Sequence, residues 1–436
     1  MDKSTPDTIA AVTYATLTDI GMRRANNQDA HTVVLAEDEA TWHERGHLFI
    51  VADGMGAHAA GELASRLAVE NIPHLYHHYR ELSPPEALKR AMLDTNSEIH
   101  RRGEVNPDFH NMGTTASVLL LLPQGAVAGH VGDSRIYRLR GDCLEQLTFD
   151  HSLQWELRSA GSVTGGSEAA IRVPKNVITR SLGPNATVAV DLEGPFPIEL
   201  GDTFLLCSDG LSGPVGDEEI GAILAHLPPQ EAVSVLVDLA NLRGGPDNIT
   251  IVAVKAVGEA LVTARSSDPS IRIGGEPPRQ FNALPAWIAM GVCLFLAGVM
   301  WAAAQKAVAT IALLAGLLAG GVGIAFTVLN RPRAGESLGG DRRLGKGPHV
   351  RVVCKVEGSF IETLAEILQE LREAAREAGW EVQWRDFDEH EHAARQAAHR
   401  GQYPQAVRCY AKAISFLMSE LRRQRGSDAG DSVVDY

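Results

Sequence analysis

Runs of five to seven mostly apolar residues, broken by turns rich in Gly and Asp, recur through the first 257 positions. They are Leu48–Ala52, Ala116–Leu122, Val127–Val131, Thr203–Cys207 and Thr250–Val254. Runs this short, bounded by turn residues, predict buried strands. Longer stretches between them, Gly61–Tyr79, Pro85–Arg101 and Pro229–Leu242, predict helices. The mixture implies one large α/β or α+β domain over residues 10–257.

The pattern then changes. Residues 258–283 shift to Ser, Arg, Pro and Gly, the composition of a linker. Residues 284–304 and 307–329 run 21 and 23 positions without a charge. Each is long enough to cross a hydrocarbon core of ~30 Å as a helix, so the two predict a transmembrane hairpin over 284–329. Gly316 and Gly320 form a small-xxx-small spacing that would let its helices approach closely. Arg265, Arg272 and Arg279 precede the first span, and Arg331, Arg333, Arg342, Arg343 and Lys346 follow the second, whereas the turn offers only Lys306. The positive-inside bias puts both flanking segments in the cytoplasm, with the hairpin in the inner (plasma) membrane.

A second linker, 330–347, leads to a helical region over 348–425. Phe360, Leu364, Ile367, Leu368 and Leu371 lie at helical spacing, so Ser359–Ala378 reads as amphipathic. Asp388–Leu421 reads as two helices split near Gly401–Pro404, and 426–436 as a polar, frayed tail.

Composition narrows the function. The net charge of −14 is diffuse and lacks the basic patch of a nucleic-acid binder. Five scattered cysteines with no CxxC pair argue against a zinc site and for a reducing compartment. Met1–Ala10 is polar, with no apolar core of a cleavable signal.

Five Asp-centred segments carry the chemistry: Arg24-Ala25-Asn26-Asn27-Gln28-Asp29-Ala30, Ile50-Val51-Ala52-Asp53-Gly54-Met55-Gly56, Gly132-Asp133-Ser134-Arg135, Leu205-Leu206-Cys207-Ser208-Asp209-Gly210-Leu211, and Gly245-Pro246-Asp247-Asn248-Ile249-Thr250. A single Asp at a strand end is usually a turn residue. Repetition at Asp53, Asp209 and Asp247 suggests carboxylates delivered to one sheet end, where they repel unless a cation joins them. Oxygen-only ligands select hard ions such as Mg²⁺ or Mn²⁺.

In this order and at these separations, the segments resemble the type 2C (metal-dependent) protein phosphatase family in its bacterial form. Met112-Gly113-Thr114-Thr115, Asp150-His151-Ser152 and Asn176-Val177-Ile178-Thr179-Arg180-Ser181-Leu182-Gly183 match its intermediate signatures. The resemblance covers roughly residues 12–257. It implies an α+β fold, an antiparallel β-sandwich flanked by helices, and hydrolysis of phosphoserine and phosphothreonine in proteins with two or three Mn²⁺ or Mg²⁺ ions. It implies Asp53, the Gly54 carbonyl, Asp209 and Asp247 as ligands of two metals, with Asp133 and Asp209 at a third. It assigns Arg24 to the substrate phosphate, whose oxygens suit a planar guanidinium fork, and Asp29 to orientation of the attacking water. Residues 153–180 fall where the family carries a substrate-selecting flap.

Three positions depart from the family pattern. Gln28 stands where Glu is frequent, Ala57 replaces a second Gly, and Met55 replaces the His of animal members, with His58 as a substitute acid. Expected partners are phosphoprotein substrates, an opposing Ser/Thr kinase and a protein docked on the C-terminal helices. There Gly401–Ala406, Tyr410 and Ala413 resemble half of a tetratricopeptide repeat, set against a generic helical hairpin. His390, His392 and His399 lie on that region as solvated positions. The alternative function is a pseudophosphatase scaffold resting on Gln28 and Ala57. A transporter is excluded by the near absence of polar groups within the spans.

Overall fold

The computed structural model describes residues 11–57, 59–159, 177–263, 284–303, 305–308, 310–317 and 344–426. His58, most of the expected flap, linker residues 264–283 and 330–343, the second apolar run beyond 317 and the tail beyond 426 lie outside these; residues 258–263, expected as linker, instead belong to the domain, with Leu261 buried in its core and the Thr263 N–H donating to the Ile198 carbonyl.

Among the described residues, twelve strands form two antiparallel sheets. One is ordered β1 (Val12–Asp19), β11 (Ile249–Ala256), β10 (Thr203–Cys207), β7 (Arg135–Arg140), β8 (Cys143–Gln146) and β12 (Val350–Val353). The other runs β2 (Asp29–Val34), β3 (His47–Met55), β5 (Ala116–Leu122), β6 (Gly125–Val131) and β9 (Asp191–Phe196), with β4 (Gly113–Thr114) paired to the end of β3. The period of two along each strand builds two cores from one sheet. On β10 and β11, Phe204, Leu206, Val252 and Val254 face Phe49, Val51 and Leu119 of the second sheet. Their neighbours Leu205, Cys207, Ile251 and Ala253 enter the opposite core.

Helices α1 (Glu39–Arg45), α2 (Ala60–His78) and α3 (Pro84–Val105) come from the first half of the domain. A Cβ on Gly129 of β6 would meet Leu88 and Met92 of α3 at 2.7 and 3.0 Å, so α3 lies directly on that sheet. Next come α4 (Leu153–Ser159), the short α5 (Asp209–Ser212), α6 (Asp217–His226) and α7 (Pro229–Leu242).

The C-terminal helices α9 (Gly358–Glu377), α10 (Trp384–His399) and α11 (Tyr403–Gly426) follow the expected boundaries within a few residues. Gly401, at φ +69°, ends α10 with the Gln402 N–H donating to the Ala397 carbonyl, a left-handed cap. Ala394, Ala397, Ala406 and Ala413 are buried, as close packing of a helical hairpin requires. These helices do not stand apart. The described residues of Met1–Arg80, Pro84–Ile271 and Arg343–Tyr436 form one compact unit. Leu364, Leu368, Phe387, Val407, Ile414 and Leu417 share one apolar core with Ile223, Leu236 and Ile251. Strand β12 extends the first sheet, pairing Val350 with Gln146 and Val353 with Cys143. Burying a full Leu or Ile is worth about 1.5–3 kcal/mol, so this shared core binds the segment strongly.

The second unit contains α8 (Leu284–Ala302) and helical residues 306–308 and 310–317. A Cβ on Gly316 would meet Cys293 and Leu294 at 3.3–3.4 Å, so the two apolar segments do approach closely at that glycine. Among the described residues no helix is long and apolar enough to cross a membrane.

Candidate active site

The acidic segments meet at one end of the sandwich. Asp53 ends the buried run of β3, and the register sets it opposite Asp29, the first residue of β2. The Thr115 hydroxyl accepts from the Asp53 N–H at 2.9 Å, and the Thr115 N–H and Thr114 hydroxyl donate to the Asp53 carbonyl at 2.9 Å each. Thr114-Thr115 therefore clamps the backbone that presents Asp53. The Thr115 hydroxyl also contacts the Ser134 hydroxyl at 2.7 Å, tying this clamp to the turn that carries Asp133.

Two glycines are demanded by close backbone approach. A Cβ on Gly54 would lie 2.2 Å from the Gly61 carbonyl oxygen, and one on Gly210 would lie 1.9 Å from that of Asn248. Gly210 thus brings the Asp209 helix start against the Asp247-Asn248 loop. The Asn248 amide fixes the first segment there: its Oδ1 accepts from the Gln28 N–H, and its Nδ2 donates to the Ile20 and Asn26 carbonyls, all at 2.8–3.0 Å.

Burial and mutual repulsion dominate the electrostatics. Desolvation raises the Asp53 carboxyl well above its ordinary range, with repulsion from Asp29, Asp209, Asp133 and Asp247 added. Desolvation pushes Asp29 up to about 7, although the Ser208 hydroxyl donates to its Oδ2 at 2.7 Å. Asp133 is likewise pushed up to about 7 by burial and by Asp209. Asp209 is raised by burial and by Asp247. Arg24 donates to Asp247 at 2.6 Å and feels Asp53 and Asp209 as well. Both members of that pair are solvent-accessible, so it is weak and exchangeable for another anion.

The site residues expected from sequence, Arg24, Asp29, Asp53, Gly54, Asp133, Asp209 and Asp247, are thus brought into one electrostatic neighbourhood. As the side chains are placed, no three His, Cys, Asp or Glu among the described residues converge as a formed metal cage. Asp247 is taken by Arg24. The donor set nevertheless fits a hard divalent cation. Asp29 Oδ1, Asp133 Oδ1 and Asp209 Oδ1 are buried with no hydrogen-bond partner. Orphaned carboxylate oxygens of this kind are costly in isolation and are satisfied by a cation.

The departures are accommodated. Gln28 Nε2 donates to the Gly56 carbonyl at 3.3 Å, a bond a carboxylate cannot make. The Ala57 carbonyl accepts from the Ala60 N–H at the start of α2, so the turn closes without a second glycine.

Sequence reasoning missed the supporting residues. Asp150 takes the Arg135 guanidinium in a bidentate grip at 2.7–3.1 Å. His151 binds the Gly132 backbone twice, accepting at Nδ1 and donating its N–H, so its Nε2–H donates to Asp191 at 3.0 Å. Asp150-His151-Ser152 was visible as a signature, but its role is to hold the Gly132–Arg135 turn. Ser208 is a quieter case: its Oγ donates to Asp29 and accepts from the Thr250 N–H at 2.9 Å.

Comparisons with known proteins point to one family. The family model described as protein phosphatase 2C matches residues 22–234. A putative protein phosphatase 2C-type of Streptococcus pyogenes is 39% identical over 241 residues, covering 54% of this chain and 94% of that protein. The serine/threonine phosphatase stp of Listeria innocua is 36% identical over 244 residues, covering 55% and 93%. The solved serine/threonine phosphatase of S. agalactiae is 34% identical, covers 56% of this chain and 99% of its own, and superposes with a TM-score of 0.50.

Proposed function

This chain belongs to the protein phosphatase 2C family and is a serine/threonine protein phosphatase, and from that premise we propose how its site works and where it acts. Its cofactors are Mn²⁺ or Mg²⁺. Asp53, the Gly54 carbonyl, Asp209 and Asp247 would hold two ions, and Asp133 with Asp209 a third. When bound, such ions supply Lewis-acid activation of water and neutralise phosphoryl charge. Asp29, steadied by Ser208, orients the water and accepts its proton. Arg24 leaves Asp247 for the substrate phosphate and stabilises charge on its oxygens in the in-line transfer. The buried Cys207 thiol, pushed up to about 12 by desolvation, takes no part.

The observation that carries the metal assignment is that Asp29 Oδ1, Asp133 Oδ1 and Asp209 Oδ1 are each buried without a hydrogen-bond partner, at the end of the sandwich where their carboxyls repel one another. The test is hydrolysis of a phosphothreonine peptide by the full chain, with and without Mn²⁺, beside Asp209→Asn. Metal-dependent turnover lost in the variant supports the assignment; turnover indifferent to both metal and mutation refutes it.

We further propose that the enzyme is tethered to the inner membrane by residues 284–304 and 307–329, with both flanking segments cytoplasmic. The charge-free runs, the flanking arginines and exposed side chains such as Phe295, Trp301, Ile311 and Leu314 support this. Its substrates are then phosphoproteins at that membrane, opposite a Ser/Thr kinase. Fractionation of the full chain and of a 284–329 deletion decides it: equal extraction of both into buffer would remove the tether. The hairpin of α10 and α11 is a single helical pair spent on the phosphatase core, which leaves its outer faces for any protein partner.

A further inference from the structure

The segment that returns from the apolar excursion is laid against the root of the active site. Leu344 exchanges two backbone hydrogen bonds with Gly194 of β9. The Gly347 N–H donates to Glu193 Oε2 at 2.7 Å, and His349 Nε2 contacts Glu193 Oε1 at 3.1 Å. The His349 N–H then donates to the Gln146 carbonyl at 2.8 Å, and β12 follows on β8. One short stretch therefore bridges the edges of both sheets.

What it touches leads directly to catalytic geometry. Gln146 Nε2 donates to Asp150 Oδ1 at 2.7 Å, and Asp150 grips Arg135, two residues from Asp133. The His349 ring lies 5.5 Å from that of Phe149, in an edge-on contact. Phe149 meets Trp155 of α4 edge-on at 5.4 Å, and the Arg135 guanidinium sits 5.9 Å over the Trp155 ring. Two routes from His349, one through hydrogen bonds and one through rings, thus converge on the Asp150–Arg135–Trp155 cluster. The phosphatase signatures end by residue 257, yet the ring packed against Phe149 at this cluster comes from residue 349.

We propose that His349, buttressed by Glu193, is a positioning residue for substrate: its ring sets Phe149 and Trp155, and so the wall through which a phosphopeptide reaches the site. The inference rests on the phosphatase reading above. It explains why a buried glutamate, 5% exposed, is placed to fix an imidazole far outside the family-matched region.

The test uses the full chain with His349→Ala and His349→Phe. On a phosphothreonine peptide, His349→Ala should raise KM about fivefold to tenfold, the scale of one aromatic contact, while kcat on p-nitrophenyl phosphate stays within about twofold. His349→Phe, which restores the ring but not the Glu193 bond, should recover most of the peptide KM. Amide exchange should rise over 149–158 in His349→Ala and stay unchanged over β10. Equal losses on both substrates, or no change on the peptide, would overturn the proposal. If the wild type showed no metal-dependent turnover, the phosphatase reading would fall separately; unchanged exchange over 149–158 would still sink the positioning role.

Discussion

Asp238 of α7 is fully buried, and its carboxylate is met from the C-terminal helix α11 by the Arg422 guanidinium and by the Ser415 hydroxyl at 2.7 Å. Replacing Arg422 by Met keeps the aliphatic stem but leaves Asp238 with one neutral donor. Breaking a buried ion pair from one side costs about 3–5 kcal/mol. The Arg422 side chain is 38% exposed, so water screens part of the pair and the expected loss is nearer 2–3 kcal/mol. The assay is urea unfolding of the full chain, followed both by far-ultraviolet circular dichroism and by phosphatase activity. Wild type should lose both signals in one transition, because the catalytic strands and the C-terminal helices share a core. Arg422→Met should move that single transition to lower urea. Asp238→Leu should soften the effect of Arg422→Met in the double variant, since no buried charge then lacks a partner. A change under about 0.5 kcal/mol, or helix loss well before activity loss, would refute the view that these helices belong to the catalytic fold.

Gly210→Ala forces a Cβ into the Asn248 carbonyl, where nothing but backbone can give way, so activity should fall at least tenfold at saturating Mn²⁺, measured by peptide hydrolysis. Ser208→Ala leaves both Asp29 and the Thr250 N–H short of a partner and should cost about 1–3 kcal/mol of stability by chemical denaturation. His130 is fully buried and its pKa is driven down to about 3, chiefly by desolvation. Its neutral form is therefore stabilising above the unfolded value near 6.5, and that contribution is lost as pH falls below it. Between pH 6.5 and 5 this group alone should remove roughly 2 kcal/mol. A His130→Gln variant should show a shallower pH dependence of melting in that window.

The central strands were legible because they are apolar along their whole length and end in Asp-Gly or a like turn. Asp53 and Asp209 could be placed at strand ends on that pattern alone. The edge strands were not legible. β1 (VTYATLTD) and β2 (DAHTVV) mix Thr with apolar residues because most of their side chains are only half-buried. β12 has four residues and gains its identity from β8, more than 200 positions earlier, which no local pattern can express. The site followed the same rule. Carboxylates whose role is visible in their chemistry stood out, whereas Ser208, Thr115 and Asp150 act by holding another residue. The placement of α9–α11 was hidden for a related reason: an amphipathic face shows that something covers it, not what.

The phosphatase fold holds described residues up to 263 and again from 344, and the apolar segment lies between them in the chain. The apolar segment is therefore an insertion, a closed excursion with both feet in one folded body, rather than an anchor trailing from its end. A cut anywhere between those feet should not free the C-terminal piece. β12 and the three helices would stay docked through the sheet and the common core, and the two fragments should copurify as one enzyme. During synthesis the order reverses into a delay: the β8 edge waits, uncovered, for β12 about 200 residues later, and the outer face of α7 for α11 about 160 residues later. Assembly of this phosphatase is completed from its far end.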